Sequence, residues 1–117
     1  MTEERFKNYI RDIEPSTSCT AFLDKYRERV NFLKSDPNAL MELKINKALS
    51  NSKRYIILKL LEHNPMCTCA LARVFDVSDG TITHHLKILE EAGLIIGKKD
   101  GYYTRYYTKK NLIETIS

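Results

Sequence analysis

Long hydrophobic stretches are missing from this sequence of 117 residues. Its longest apolar runs, at residues 55–58 and 94–96, fall far short of the roughly 20 residues that a helix needs to cross a bilayer. The N-terminal segment MTEERFKNYIRDIE is charged throughout and lacks the apolar stretch of a signal peptide. We therefore expect a cytoplasmic protein with no membrane partner.

Cysteine is scarce, and only Cys19, Cys67 and Cys69 occur. Because the number is odd and two of the three are almost adjacent, a disulfide framework is not expected in the cytoplasm. Free thiols or metal ligands are expected instead. The sequence also lacks a Gly-rich phosphate-binding loop, a metal-hydrolase motif and a catalytic Cys/His/Asp arrangement. These absences predict that the protein is not an enzyme.

The composition is that of an ordinary globular protein, with 43% hydrophobic and 29% charged residues. A chain of this length suits one compact domain with an appended arm. The net charge is +4. Basic residues are concentrated in residues 94–110, which contain five Lys or Arg residues and one acidic residue. These are Lys98, Lys99, Arg105, Lys109 and Lys110, against Asp100. A polyanion is the natural partner for such a strip.

Apolar residues at helical spacing predict four helices in the N-terminal half of the chain, over about residues 3–13, 20–34, 37–49 and 53–62. Asp36 is a suitable N-cap for the third. That helix is expected to bury Leu40, Leu43, Ile45 and Leu49.

Residues 1–36 form a separate helical arm in this interpretation. Its helices carry the stripes Phe6/Tyr9/Ile13 and Phe22/Tyr26/Val30. We predict that the arm contributes to a homodimer; alternatively, the stripes cap the core of their own subunit.

The C-terminal half predicts shorter elements, namely a helix at about 69–75 and a second helix that Ser78 caps and Gly93 ends. A hairpin follows, with strands at 94–99 and 102–108 joined by Asp100-Gly101. This order predicts a mainly α fold with a β-hairpin wing. The fold class is a winged helix-turn-helix over residues 37–117 with an N-terminal helical extension.

Candidate DNA-binding residues lie on the second of these helices and on the wing. Ile82, Leu86 and Leu89 repeat at helical spacing and should face the core, which leaves short polar side chains on the opposite face. The predicted contacts are Ser78, Asp79, Gly80, Thr81, Thr83, His84 and Lys87 from the helix and Lys98, Lys99 and Arg105 from the wing. His85 is expected to pack or cap.

The sequence from residue 48 to residue 108 resembles the ArsR/SmtB family of metal-sensing repressors. ALSNSKRYIIL at 48–58 is similar to the family's opening helix, and VSDGTITHHLKIL at 77–89 to its recognition helix. EEAGLI at 90–95 and Tyr106-Tyr107 continue the likeness. The resemblance implies a transcriptional repressor that binds duplex operator DNA as a homodimer.

Two features depart from the family's pattern. Asp79 stands where the family usually has an uncharged residue, and an acid there should repel phosphate. Only a short helix is expected from about Lys110, where the family usually has a long dimerising one.

The resemblance also implies a metal site, because Cys67-Thr68-Cys69 falls where the family carries a Cys-x-Cys motif. On a regular helix, two residues correspond to about 200° of rotation. Both sulfurs can therefore reach one ion only if Cys67 lies on a non-helical approach, which Pro65 favours by disfavouring helix at Asn64.

In some relatives an N-terminal cysteine from the partner subunit completes the site, which makes Cys19 a candidate third ligand. Three thiolates suit arsenite, antimonite or lead, whereas cadmium or zinc would want a fourth ligand, for which His63 is a weak candidate. Three alternatives stay open: a thiol redox sensor, small buried cysteines without a ligand, and a winged-helix module that binds an acidic protein.

Overall fold

The computed structural model describes residues 2–110, which divide into a compact unit that ends at Leu40 and another that begins at Met41. The predicted short helix from about Lys110 lies, beyond its first residue, outside the described part. The elements are α1 (Thr2–Ile13), α2 (Cys19–Ser35), α3 (Pro37–Leu49), α4 (Ser52–His63), β1 (Met66–Cys67), α5 (Thr68–Phe75), α6 (Asp79–Glu91), β2 (Ile95–Asp100) and β3 (Tyr103–Thr108). The predicted fold class, mainly α with a hairpin wing, is confirmed.

Side-chain caps explain where the helices begin. Ser18 accepts from the amide of Ala21 at 3.1 Å to start α2, and the Asp36 carboxylate accepts from Ala39 at 3.0 Å to start α3, as predicted. Each cap satisfies an amide that the first helical turn leaves without a partner. Cys19, which the sequence placed in the linker between two helices, is in fact the first residue of α2 because Ser18 takes the cap position.

The core of the second unit is built from α4, α5 and α6. Its largest fully buried side chains are Ile57, Leu61, Leu71, Ile82, Leu86 and Leu89. The prediction that α3 buries Leu40 and Leu43 is wrong, since each is 48% exposed and Ala48 is the buried residue of that helix. Ile45 and Leu49 are only partly buried, against the core.

The sheet has the order β1-β3-β2, and all its pairs are antiparallel. Asp100 pairs with Tyr103, so the hairpin turn is Gly101-Tyr102 and not the predicted Asp100-Gly101. Gly101 has φ +65°. A type II′ turn needs a positive φ at its first central position only, which glycine adopts without strain and tyrosine does not. The turn therefore lies one residue later than predicted.

Two left-handed residues fix the ends of α5 and α6. Asp76 (φ 54°) ends α5, with its amide donating to Arg73, and Gly93 (φ 74°) follows α6, as predicted. They set the tight turn between the two helices and the exit into the wing. None of the helices in the described part is sufficiently long and apolar to pass through a membrane.

Candidate nucleic-acid interface and thiol site

The helix α6 separates its two faces as the sequence predicts. Ile82, Leu86 and Leu89 are buried in the core. The predicted DNA-contacting residues of this region are all exposed, namely Ser78, Asp79, Gly80, Thr81, Thr83, His84 and Lys87. One continuous polar surface therefore extends from the start of α6 over two turns of the helix.

Ser78 has a structural task on this surface. Its hydroxyl accepts from the amide of Thr81 at 3.1 Å and shares a hydrogen bond with the Thr81 hydroxyl at 2.9 Å. Both hydroxyls are thus occupied with starting the helix. Thr83, His84 and Lys87 are exposed on the same face and take no part in this cap.

The basic wing residues differ in their exposure and in the contacts that they make within the protein. Lys98 and Lys99 are exposed on β2. Arg105 on β3 is half-buried, and its guanidinium lies 3.5 Å from the Pro65 carbonyl oxygen and 3.8 Å from the Asp100 carboxylate. Arg105 must therefore give up internal contacts before it can meet a phosphate.

Cys67 and Cys69 lie together at the start of α5. Cys67 is the N-cap, with extended backbone (φ −84°, ψ 167°), and Cys69 is the second residue of the helix. The approach to the helix is therefore non-helical, which two sulfurs at this spacing require. Their Sγ atoms are 2.9 Å apart, so one ion can contact both.

The local hydrogen bonds make the two thiols unequal. The pKa of Cys67 is lowered because the Cys69 thiol donates to its sulfur, and the Ala70 amide also donates to it, at 3.4 Å. The pKa of Cys69 is raised, mainly by the same thiol contact. The local hydrogen bonds therefore favour the thiolate form of Cys67 over that of Cys69, and a thiolate is the form that binds a soft electrophile.

A groove of about 620 Å³ opens beside the two thiols. Its walls include Pro65, Val74 and Arg105. The backbone of Cys67 pairs with that of Arg105 through β1 and β3, so the thiol site and the wing belong to one sheet.

The other candidate ligands lie on separate elements. Cys19 is half-buried at the start of α2, and His63 is exposed at the end of α4. Within residues 2–110 no three His, Cys, Asp or Glu side chains gather so that they could hold a metal ion. Within these described residues, Cys67 and Cys69 form a pair of possible ligands and not a complete set.

The contact between Arg54 and His85 is one that sequence reasoning missed. The Arg54 guanidinium lies 3.4 Å from Nδ1 of His85, across 31 positions of sequence. No local sequence pattern predicts a contact between two residues that lie so far apart along the chain. The pKa of His85 is lowered, first by burial and then by the positive charges of Arg54, His84 and Lys53.

This lowered pKa predicts that the folded protein loses stability in mild acid. Because the unfolded chain takes up a proton near pH 6.5 and the folded His85 does so only at lower pH, stability falls between these two values and then levels off. A pKa difference of one corresponds to about 1.4 kcal/mol, and the partial solvation of His85 keeps this difference, and with it the loss of stability, small. Urea unfolding from pH 8 to pH 5 measures it. His85→Gln should flatten the profile, and an unchanged profile in that variant would contradict the assignment.

Comparison of the sequence with known proteins finds similarity to a family of regulatory proteins. Residues 51–96 match the family of bacterial regulatory proteins described as the arsR family. The chain is 36% identical to an arsenical resistance operon repressor of Staphylococcus aureus over 62% of this chain and 69% of that protein. It is 41% identical to a putative arsenical resistance operon repressor, ArsR, of Halobacterium salinarum over 52% of this chain, and spans about half of that relative's length (49%).

Among solved structures, the chain resembles a homodimeric winged helix-turn-helix DNA-binding domain from Mycobacterium bovis, which is described as a possible ArsR-family transcriptional regulator. The TM-score is 0.60 at 25% identity, over 70% of this chain and 79% of that one. The relatives are transcriptional regulators and not enzymes, as the sequence predicted.

Proposed function

Since the chain belongs to the ArsR family of bacterial regulatory proteins, we propose that it represses transcription as a homodimer on operator DNA and releases the DNA when Cys67 and Cys69 capture a thiophilic ion. The observation that carries this proposal is the pair of sulfurs 2.9 Å apart at the start of α5. That helix immediately precedes the predicted recognition helix α6.

The connection between α5 and α6 gives ion capture a direct route to the DNA-contacting surface. The helices are packed against each other and joined by a turn in which the amide of Val77 donates to the Ala72 carbonyl at 3.0 Å. An ion that moves Cys67 and Cys69 therefore moves the N-terminal end of α5, which packs against α6. It also moves the strand β1, which pairs with β3 of the wing. A coupling of about 1–3 kcal/mol is enough to change operator affinity 5- to 150-fold.

We assign the ligand set to Cys67, Cys69 and Cys19, with Cys19 coming from the partner subunit. Thiolates favour soft ions over hard cations such as magnesium or calcium. Three sulfurs satisfy a pyramidal ion such as arsenite, antimonite or lead, whereas cadmium or zinc requires a fourth ligand.

A direct test combines ion titration with DNA binding. Sodium arsenite or cadmium chloride is added to the protein, and thiolate charge-transfer absorbance is followed with and without a duplex that the protein selects from a randomised pool. We expect about three protein thiols per chain to be bound by the ion and the duplex to be released in the same concentration range. Absorbance changes without DNA release would contradict the proposed regulation.

Contacts to phosphate and contacts to bases should separate in mutants. Lys98→Ala should weaken the binding of all duplexes about equally and lower the salt slope of the association constant by about one. Thr83→Ala or His84→Ala should instead reduce the preference for the selected duplex over random DNA, by about tenfold. Arg105→Ala should have a smaller salt effect than Lys98→Ala, because Arg105 is held by Pro65 and Asp100. Titration of binding against salt measures the two wing variants, and a comparison of the selected duplex with random DNA measures the two helix variants. Unchanged salt slopes in both wing variants would move the interface elsewhere.

A thiol redox sensor is the second candidate, and the inequality of the two thiols favours it. Hydrogen peroxide would oxidise the Cys67 thiolate to a sulfenic acid with release of hydroxide, and the Cys69 thiol would then condense with it to give a disulfide and water. Release of DNA by hydrogen peroxide, reversed by dithiothreitol and absent with every thiophilic ion, would select this candidate.

A further inference from the structure

Four basic side chains gather where the start of α4 meets the middle of α6. They are Lys53 and Arg54 on α4 and His84 and His85 on α6. The two imidazole rings have centroids 5.7 Å apart, and the guanidinium of Arg54 is 3.4 Å from His85. This cluster lies beside the exposed residues of the predicted recognition helix and belongs to neither the thiol site nor the wing.

Arg54 is held firmly in this cluster. Its Nε donates to the Ala48 carbonyl at 2.8 Å, and its Nη2 donates to the Lys47 carbonyl at 3.4 Å. These carbonyls end α3, where a positive charge is favoured by the helix dipole. These two hydrogen bonds hold the guanidinium in place, and its remaining nitrogen, Nη1, lies against Nδ1 of His85.

The contact with Arg54 determines which nitrogen of His85 carries the proton. A guanidinium has only donors, so Nδ1 of His85 must accept. In a neutral imidazole the proton then resides on Nε2, which becomes a donor. His85 is only half-buried, so part of this residue is open to solvent.

The charge around His85 is of one sign. Arg54, His84 and Lys53 all act on it as positive charges. Within residues 2–110, neither Lys53 nor Arg54 forms an ion pair with a carboxylate. An oxyanion would be attracted to this cluster, and a phosphodiester is the oxyanion that duplex DNA offers.

We infer that Lys53 and His85 form a phosphate-binding site for the DNA backbone beside α6, with Arg54 as the residue that positions the imidazole. Lys53 supplies charge and His85 supplies a hydrogen bond from Nε2. The site adds α4 to the DNA-contacting elements and rests on the DNA binding stated in the proposed function. Because Nδ1 accepts from Arg54, the imidazole acts as a neutral donor through Nε2, and the site needs no added proton.

The first test is the salt dependence of binding to a random duplex. Lys53→Gln should reduce the salt slope by about one. Lys59→Gln is the matched control, because it removes the same charge from the same helix at a lysine already paired with Glu62 at 3.0 Å. Its slope should remain that of the unsubstituted protein.

The second test compares two replacements of His85 in the same binding assay. Affinity for a random duplex should fall in His85→Phe, which removes the donor, and should be largely kept in His85→Gln, which retains one. Thermal unfolding of each variant verifies that it is folded. A wild-type salt slope in Lys53→Gln, or a wild-type affinity in folded His85→Phe, overturns the inference. If the unsubstituted chain does not bind duplex DNA, the proposed function itself fails.

Discussion

Cys67→Ser should abolish the release of operator DNA by arsenite or cadmium while operator affinity without ions stays close to that of the unsubstituted protein. Serine removes a soft ligand and almost preserves the volume of the side chain. It is also a better N-cap than most residues, so the hydrogen bond from the Ala70 amide that starts α5 is retained. The whole coupling, about 5- to 150-fold in operator affinity, is expected to disappear.

Cys69→Ser should have the same effect, since one sulfur of the pair is lost in either variant. Cys19→Ser separates the possible roles of the third cysteine. If Cys19 is a third ligand, Cys19→Ser should weaken the response to ions without abolishing it, so that higher ion concentrations restore the release of operator DNA. Operator binding followed by fluorescence anisotropy during ion titration measures all three variants. If the Cys67→Ser, Cys69→Ser double variant releases DNA normally with every thiophilic ion, the thiols are not the sensor.

Local chemistry made much of this fold predictable. Asp36, Ser78 and Gly93 have side chains or backbone preferences that act within a few residues, and they set helix ends where the sequence placed them. Pro65 acts in the same local way, and the extended conformation of Cys67 that brings the sulfurs together follows a short distance after it. The shape of the thiol pair is therefore largely contained in the segment from residue 64 to residue 70.

Tertiary contacts were not predictable from such local signals. The Arg54–His85 contact joins residues 31 positions apart, and without it His85 looks like an ordinary packing residue. Arg105 was grouped with Lys98 and Lys99 by charge, but pairing of β1 with β3 places it against Pro65. The roles of these residues depend on strand and helix neighbours that spacing along the chain does not specify.

Leu40 and Leu43 are exposed although their spacing predicts burial, and the apolar stripe of α2 in the N-terminal arm is likewise not buried. In α2 no residue is buried, although Phe22, Tyr26, Val30 and Leu33 follow one another at helical spacing. Phe22 contacts Phe6 and Tyr26, with ring centroids 5.7 and 4.7 Å away, so α1 and α2 share an aromatic cluster. Val30 and Leu33 remain about half exposed beyond it. A helix with an apolar stripe and no buried residue requires a cover, and a second copy of the chain supplies one in the homodimer that we propose.

Placing carboxylates on this stripe should therefore separate the subunits. In Val30→Asp, Leu33→Asp, each subunit loses two apolar side chains worth about 1.5–3 kcal/mol each when fully buried and gains charges that are costly to bury. Because a two-fold interface contains every change twice, we expect the dissociation constant to rise at least about a thousandfold. Sedimentation equilibrium measures it, with Asn31→Asp as the control that adds a charge to an exposed polar position of the same helix. A chain that begins at Pro37, which keeps α3 complete, should likewise be monomeric. A stable dimer in both altered proteins would mean that the arm only covers its own subunit.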